Sequence, residues 1–315
     1  MVGGPASNPR MHEAPGRGRG VSGAREEHHT TARVLVEALP YIRRFAGKTV
    51  VVKYGGNALA GTSAHDALEV FAEDIVLMRL VGLRPVVVHG GGPQISALMD
   101  RLGKTPEFRN GLRVTDADTV DIARMVLIGQ VNPQVVAAIN RHGNYAVGVS
   151  GEDGNLIEAV ARDPELGFVG DVARINTAVL EGLMQDEFVP VVATIGVDQT
   201  GQPYNINADV VAGAIAEALH AEKLVYLTDI EGLRRRVEDP DSLIRRTTAD
   251  ALAALVADGS IAGGMIPKVA SCVQAVRSGV ASAHILDGRI AHVLLLEIFT
   301  DAGIGTMVSL KETTP

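Results

Sequence analysis

From residue 31 onward the chain alternates short, wholly apolar runs with longer stretches in which apolar residues recur every three or four positions. Thr49–Val52, Pro85–Val88, Ala146–Val149, Val189–Ala193, Leu224–Leu227 and Ala283–Leu286 each predict a short strand buried on both faces. Between them the helical period returns. Leu68, Phe71, Ala72 and Ile75 predict one buried helix face, and Ile95, Leu98, Met99 and Leu102 a second. Val211, Ile215, Ala218 and Leu219 predict a third, and Ile266, Val269, Val273 and Val276 a fourth. Strand, glycine turn and helix in repeated succession predict an α/β fold: a three-layer αβα sandwich around a mainly parallel central sheet. Ahead of the first strand, Leu35, Ala38, Leu39, Ile42 and Phe45 predict a short amphipathic helix, kinked at Pro40. Such a helix must cover its own domain or a neighbouring subunit. Residues 1–29, rich in Gly, Pro, Arg and His, show no period and are expected to form a disordered tail. No long linker divides the ordered part, so two lobes would share one continuous sheet.

Composition narrows the functional classes. Of the 315 residues, 46% are hydrophobic, enough for a large core, and only 3% are aromatic, so Ala, Val and Gly carry the close packing. The formal charge of -8 argues against a general nucleic-acid or anionic-membrane binder while leaving room for local cationic pockets. The single cysteine, Cys272, excludes an intrachain disulfide framework, reads as a small core residue, and suits a cytoplasmic location. Neither a signal peptide nor an apolar stretch long enough to span a bilayer is expected.

Three motif-like segments fail in context. Gly18-Arg19-Gly20-Val21-Ser22-Gly23 fits a dinucleotide fingerprint but has no strand before it or helix behind it. Gly103-Lys104-Thr105 resembles the end of a P-loop, yet the position five residues before Gly103 is Leu98, inside a predicted helix. His89-Gly90-Gly91-Gly92 resembles an esterase oxyanion segment, but the G-x-S-x-G elbow it would need is absent from the chain.

Other segments carry chemistry by their place. Lys53-Tyr54-Gly55-Gly56-Asn57 follows the first strand, where parallel sheets bind ligands; it reads either as a phosphate-contacting loop or as a tight turn with a solvated lysine. His89-Gly90-Gly91-Gly92-Pro93 follows the second strand and opens a helix, a natural anion site, with His89 itself read as structural. Arg113, after the polar turn at Asn110-Gly111, fits a two-bond grip on a carboxylate, or else a surface salt bridge. In Asn205-Ile206-Asn207-Ala208-Asp209, Asp209 either caps the next helix or holds cationic groups while Asn205 donates to a ligand carboxylate. Gly263-Gly264-Met265-Ile266-Pro267-Lys268 sets a lysine in the first turn of a helix, where the dipole disfavours it unless an anion compensates.

In this order and spacing, the five segments closely resemble the amino acid kinase family. The resemblance runs from about Thr31 to the C-terminus. It is closest to the arginine-sensitive members that phosphorylate N-acetyl-L-glutamate in arginine biosynthesis. It implies the amino acid kinase fold, with residues 30–46 as an oligomerisation helix and 47–195 as a lobe for acetylglutamate binding and dimerisation. Residues 196–315 would form the lobe for ATP, carried with Mg²⁺, and for regulation. Carried onto matching positions, the family's roles make Lys53, Lys268 and Asp209 catalytic, the lysines stabilising the phosphoryl group in flight and Asp209 orienting them. Gly91, Gly92, Arg113 and Asn205 would bind the acceptor. Gly55, Gly56, Thr228, Asp229, Gly232, Gly264 and Met265 would border the nucleotide, and no protein metal ligands are expected.

The arginine-sensitive members also carry an N-terminal helix that links dimers into a hexamer, which Thr31–Phe45 resembles. Their C-terminal arginine site resembles His292–Thr306, with His284, Glu297 and Gly303 near the inhibitor; otherwise Leu294–Phe299 is an ordinary core helix with Glu297 exposed. Two rival readings stand beside this one. The first is a related kinase such as glutamate 5-kinase, which lacks the Asn-Gly-Leu-Arg-Val-Thr segment. The second is a non-catalytic arginine or nucleotide sensor on the same fold.

Overall fold

The computed structural model describes residues 33–34, 36–55, 64–236, 239–261, 265–300 and 303–311. The expected tail, Leu35, Gly56, Asn57, Gly263 and Gly264 lie outside these residues. The first helix, α1 (residues 36–45), runs through Pro40 without interruption. Phe45 is buried, whereas Val34, Val36 and Leu39 are exposed.

Alternation then proceeds as β1 (Thr49–Tyr54), α2 (Ala64–Leu80), β2 (Arg84–His89), α3 (Gly92–Arg101) and the short hairpin β3 (Phe108–Arg109) and β4 (Leu112–Arg113). A long helical run follows, α4 (Ala117–Val126) passing through one π turn at Leu127–Val131 into α5 (Asn132–Asn140). Next come β5 (Ala146–Ser150), β6 (Ile157–Ala161), β7 (Val169–Ile175), α6 (Ala178–Gln185), β8 (Val189–Ala193), β9 (Ile195–Val197) and β10 (Pro203–Ile206). The remainder is α7 (Ala208–Ala218), β11 (Lys223–Thr228), β12 (Arg246–Thr248), α8 (Ala249–Ala257), α9 (Met265–Arg277), β13 (Ser282–Asp287), α10 (Val293–Phe299) and β14 (Thr306–Ser309).

One eight-stranded sheet in the order β12-β14-β13-β11-β1-β2-β8-β5 spans both halves of the chain. All its pairings are parallel except β13 with β14. Each of the six predicted strands is present. Thr49–Val52 extends to Tyr54, so Lys53 is still held by strand pairing to Tyr226 and Val88. Helices cover both faces. Val51, Val86, Val192 and Leu224 pack one way, toward α7 and α9, while Val50, Val52, Val87 and Val225 pack the other way, toward α2, α5 and α10. Cys272 is buried in the first of these cores, and burial pushes its thiol up.

Four features depart from expectation. Strands β6, β7, β9 and β10 close into a small barrel beside the main sheet. Leu102, the residue that ends α3, is exposed, and Ile266 in the first turn of α9 is exposed as well, so neither belongs to its predicted buried face. The run Ala117–Asn140 is long and apolar enough to cross a membrane by length and composition, which corrects the expectation of no such stretch. Half of its most apolar 18-residue stretch is buried inside the protein, and Val120, Ile122, Val126 and Val135 of the run are core residues. The helix cap before Asp209 is the fourth and belongs to the site.

Candidate active site

The carboxyl ends of β1, β2 and β11 open onto one cleft of about 400 Å³. These strands are neighbours in the order β11-β1-β2; the chain runs on from β1 to β2 on one side and from β11 toward β12 and β13 on the other, and such a switch point is where open parallel sheets bind ligands. Lys53, Arg113, Lys268, Asp209 and Asp229 bring the charge to its walls.

At the centre is Asp209. Asn207, not Asp209, caps α7, its side chain accepting from the Asp209 N–H at 2.7 Å. The carboxylate of Asp209 is therefore free for other partners. Lys268 Nζ donates to Asp209 Oδ2 at 2.9 Å. Lys53 Nζ lies 2.8 Å from Oδ1, a charge contact out of line for a hydrogen bond. Burial works against the charge of Asp209, but the two ammonium groups outweigh it and hold its carboxyl below the usual carboxylate range. A single buried carboxylate thus holds two lysines from different elements, one on β1 and one on α9, with their excess positive charge facing the cleft.

The glycine loop after β2 forms a second wall. Gly91 precedes α3, and no side chain caps that helix, so its first N–H groups remain for a ligand. A Cβ on Gly91 would stand 2.7 Å from Leu127 Cδ2 and 3.2 Å from Val131 Cγ2, so a side chain there would collide with the π turn. Gly92 and Gly90 line the same wall, and Gly55 approaches from β1. Two residues hold the loop: His89, read as structural from the sequence, and Asn132, not anticipated from sequence. Asn132, buried where the π turn enters α5, donates to Val191 O at 2.8 Å and lies 3.0 Å from His89 Nε2. His89 Nδ1 lies 3.0 Å from Gly90 O, and burial pushes the imidazole down to about 4. A neutral ring donating from Nδ1 and accepting at Nε2 satisfies both contacts, so His89 is structural. Asn132 stands between Gln130 and Gln134, so its polarity gave no distinct sequence signal beyond the neighbouring Pro133.

The hairpin explains Arg113. Asn110 and Gly111 both have positive φ, 51° and 79°, which is the two-residue turn that Asn-Gly favours. Arg113 then points inward and is buried, not at the surface. Its guanidinium donates to Gly92 O at 2.8 Å and Ser96 Oγ at 2.9 Å, and lies 4.7 Å from the centre of the Phe108 ring. None of these partners carries a charge, and burial lowers its pKa. Asn205, delivered by β10 of the small barrel, faces the same space with its amide 3.4 Å from Thr115 Oγ1.

A second hollow of about 340 Å³ continues from Asp229 past Gly232, with Ile230, Leu233, Ile261 and Met265 as its apolar lining and Glu231, Arg234 and Arg289 also on its walls. Thr228 and Asp229 stand at the junction, and Thr228 Oγ1 accepts from Ile230 N at 3.1 Å. Gly56 and Gly264, named with these residues, lie outside the described residues.

His284, Glu297 and Gly303 gather on the opposite side of β11. The Glu297 side chain is only 8% exposed, so it is not a surface member of α10. His284 Nδ1 lies 2.9 Å from Glu297 Oε1, and Glu297 Oε2 accepts from Ile304 N at 3.2 Å. His284 Nε2 is 3.2 Å from Lys223 Nζ, which sits 5.3 Å from the centre of the Phe45 ring at the end of α1. Gly303 offers its carbonyl to Arg245 at 2.7 Å. Lys104 pairs with Asp116 and Asp118 and does not line the cleft.

A cleft at the sheet switch point, walled by glycine N–H groups and carrying paired lysines, belongs to the class of phosphate-handling α/β enzymes. Residues 48–287 match the Amino acid kinase family, and the chain belongs to that family. An acetylglutamate kinase from Hydrogenovibrio crunogenus is 53% identical over 291 residues, covering 88% of this chain and 96% of that protein. One from Nostoc punctiforme is 52% identical over 285 residues, covering 90% and 95%. Among solved structures, N-acetylglutamate synthase from Neisseria gonorrhoeae, complexed with coenzyme A and N-acetyl-glutamate, is 30% identical with a TM-score of 0.77. That match covers 90% of this chain, which spans 64% of the synthase's length. Carbamate kinase from Giardia lamblia, at 20% identity and a TM-score of 0.63 over 84% of this chain and 99% of that one, shares the fold.

Proposed function

We propose that this chain transfers the γ-phosphoryl group of ATP to the γ-carboxylate of N-acetyl-L-glutamate, giving N-acetylglutamyl 5-phosphate and ADP, the second step of arginine biosynthesis. The names of relatives at 52–53% identity over most of the chain support the substrate. The observation that carries the chemistry is Asp209 holding Lys53 and Lys268 together at the cleft.

An acceptor carboxylate is already anionic at neutral pH, so no general base is needed. One of its oxygens bonds to the γ-phosphorus as the bridging oxygen–phosphorus bond breaks and ADP leaves with the electron pair. What remains is to bring two anions together in line and stabilise the charge spread over the moving group. Lys53 and Lys268 supply cations at that point, and Gly91 and Gly92 supply N–H donors on the acceptor side. Arg113, a buried cation among neutral partners, and Asn205 take the acceptor's other carboxylate. Gly55, Gly56, Thr228, Asp229, Gly232, Gly264 and Met265 border ATP, with the apolar lining at Met265 suited to the adenine ring. Mg²⁺ enters with the nucleotide as part of the substrate and neutralises charge on its phosphate oxygens.

Residues 47–195 would serve the acceptor and dimerisation, and 196–315 the nucleotide and regulation. Arginine would act as a feedback inhibitor at the cluster of His284, Glu297 and Gly303. A structure of the gonococcal synthase complexed with coenzyme A and L-arginine, 30% identical over 89% of this chain and with a TM-score of 0.75, supports that reading. The exposed Val34, Val36 and Leu39 of the α1 segment support its use between copies in a hexamer built as a trimer of dimers. The enzyme would work in the cytoplasm.

ADP release with MgATP, comparing N-acetyl-L-glutamate with glutamate, carbamate and UMP and adding arginine last, tests the proposal. Turnover only with N-acetyl-L-glutamate, falling as arginine rises, is expected. Turnover with another acceptor alone would overturn the substrate assignment, and activity indifferent to arginine would overturn the regulation.

A further inference from the structure

The main-chain carbonyl of Asp209 lies in the first turn of α7, and two hydroxyls from other elements converge on it. Ser271 Oγ, on α9, donates to Asp209 O at 2.9 Å. Tyr226 Oη, on β11, donates to the same oxygen at 3.0 Å. The two hydroxyl oxygens are 2.6 Å apart and each carries one proton, so a hydroxyl that donates to its neighbour gives up its own bond to the carbonyl and leaves the other to hold it. Tyr226 is fully buried, and neither residue lines the cleft. Close approach of the two helices makes the arrangement possible: a Cβ on Gly213, one turn after Asp209, would stand 2.4 Å from Ser271 Oγ.

Lys268 and Ser271 are three residues apart and share one face of α9. Helix α9 therefore grips Asp209 at two points, the carboxylate through Lys268 and the carbonyl through Ser271, while β11 grips the carbonyl through Tyr226. Fixing the carbonyl fixes the backbone from which the Asp209 side chain departs, and so the positions its carboxylate can reach. Only one direction lets a single carboxylate meet Lys268 on α9 and Lys53 on β1 together.

We infer that Ser271 and Tyr226 are positioning residues for phosphoryl transfer, acting through Asp209 and touching neither substrate. The inference rests on the kinase reading above. Either hydroxyl alone can still donate to the carbonyl, so Ser271→Ala and Tyr226→Phe each lower kcat by roughly threefold and the pair by roughly tenfold or more, as expected when reacting groups are slightly misplaced. KM for both substrates stays within about twofold, because the binding walls are untouched.

The test is a mutant cycle with Asp209→Asn. Once the carboxylate is gone there is nothing left to aim, so the Ser271→Ala/Tyr226→Phe pair produces no further fall in kcat in that background. A full, independent fall there, or a pair that lowers only the melting temperature with kcat unchanged, overturns the inference. A second readout does not depend on turnover: the side-chain ammonium resonances of Lys53 and Lys268, followed by NMR, shift in the double variant. Unchanged resonances overturn the inference even if the wild type phosphorylates none of the acceptors, an outcome that would count against the kinase reading alone.

Discussion

Asp209 and Glu297 are both acids with buried side chains, each held by basic groups beside the same sheet, yet they face different worlds. Asp209 holds two lysines whose charge it cannot fully cancel, and the excess looks into a cleft of about 400 Å³ bounded by glycine N–H groups. Glu297 lies between His284 and the Ile304 N–H, with Lys223 beyond the imidazole and the Phe45 ring over Lys223. There burial, followed by the nearby Lys223 charge, pushes His284 down to about 4, so the histidine is neutral at working pH. Glu297 stays below the usual carboxylate range despite its own burial because His284 and Lys223 favour its charge. Buried charge in itself does not mark a catalytic centre. An uncancelled charge facing an open, donor-lined cleft does.

The largest effects should come from removing that excess. Lys53→Ala and Lys268→Ala should each lower kcat by roughly 10²–10³ in a coupled ADP assay, the scale of losing one transition-state donor. Retained turnover in either would move the chemistry elsewhere. Arg113→Ala should act on the acceptor instead, raising its KM by roughly 10- to 100-fold, the scale of a lost charged hydrogen bond, with KM for ATP unchanged. Steady-state kinetics with each substrate varied separate the two cases.

Gly91→Ala should force the new methyl against Leu127 and Val131, destabilising by roughly 1–3 kcal/mol and weakening acceptor binding. Chemical denaturation with acceptor titration reads both effects.

The Glu297 region should show itself in pH instead. A histidine whose folded pKa is about 4, against an ordinary value of 6.5, contributes stability that is complete above 6.5 and lost as pH falls toward 4. His284→Gln should flatten that part of the stability profile while the similar contribution of His89 remains. Asp74 on α2 works in the opposite sense. Burial raises it to about 6 although His292 donates to it at 2.7 Å, so its contribution grows as pH falls below 6. Denaturant melts of wild type and variant from pH 4 to 7 would expose the sign of each. The smallest effect is expected at Lys104, whose replacement by alanine should barely change stability and leave kcat alone, as the loss of a solvent-screened ion pair does.

Much of this contrast was legible in the residues. The parallel sheet announced itself because strands buried on both faces must be continuously apolar, and Val189–Ala193 was read to the residue. Lys53, the glycine loops, Arg113, Asn205, Asp209 and Lys268 follow strand ends or helix starts, and the fold brings their described members to one cleft. The small barrel was not legible, because strands such as Ile195–Val197 and Pro203–Ile206 are too short to show a period. Nor was the π turn, whose one extra residue leaves the apolar spacing nearly intact. Asp209 looked like a helix cap because Asn207 and Asp209 are equally good capping types, and only the backbone decides between them. The bonds from Ser271 and Tyr226 to a main-chain carbonyl leave no trace in sequence at all.

The most direct measurement is kcat for Asp209→Asn and Glu297→Gln side by side, with N-acetyl-L-glutamate and MgATP and no arginine. Loss of roughly 10²–10³ in the first and near wild-type turnover in the second is the predicted result. Equal losses, or an Asp209→Asn enzyme that still turns over, would contradict the account.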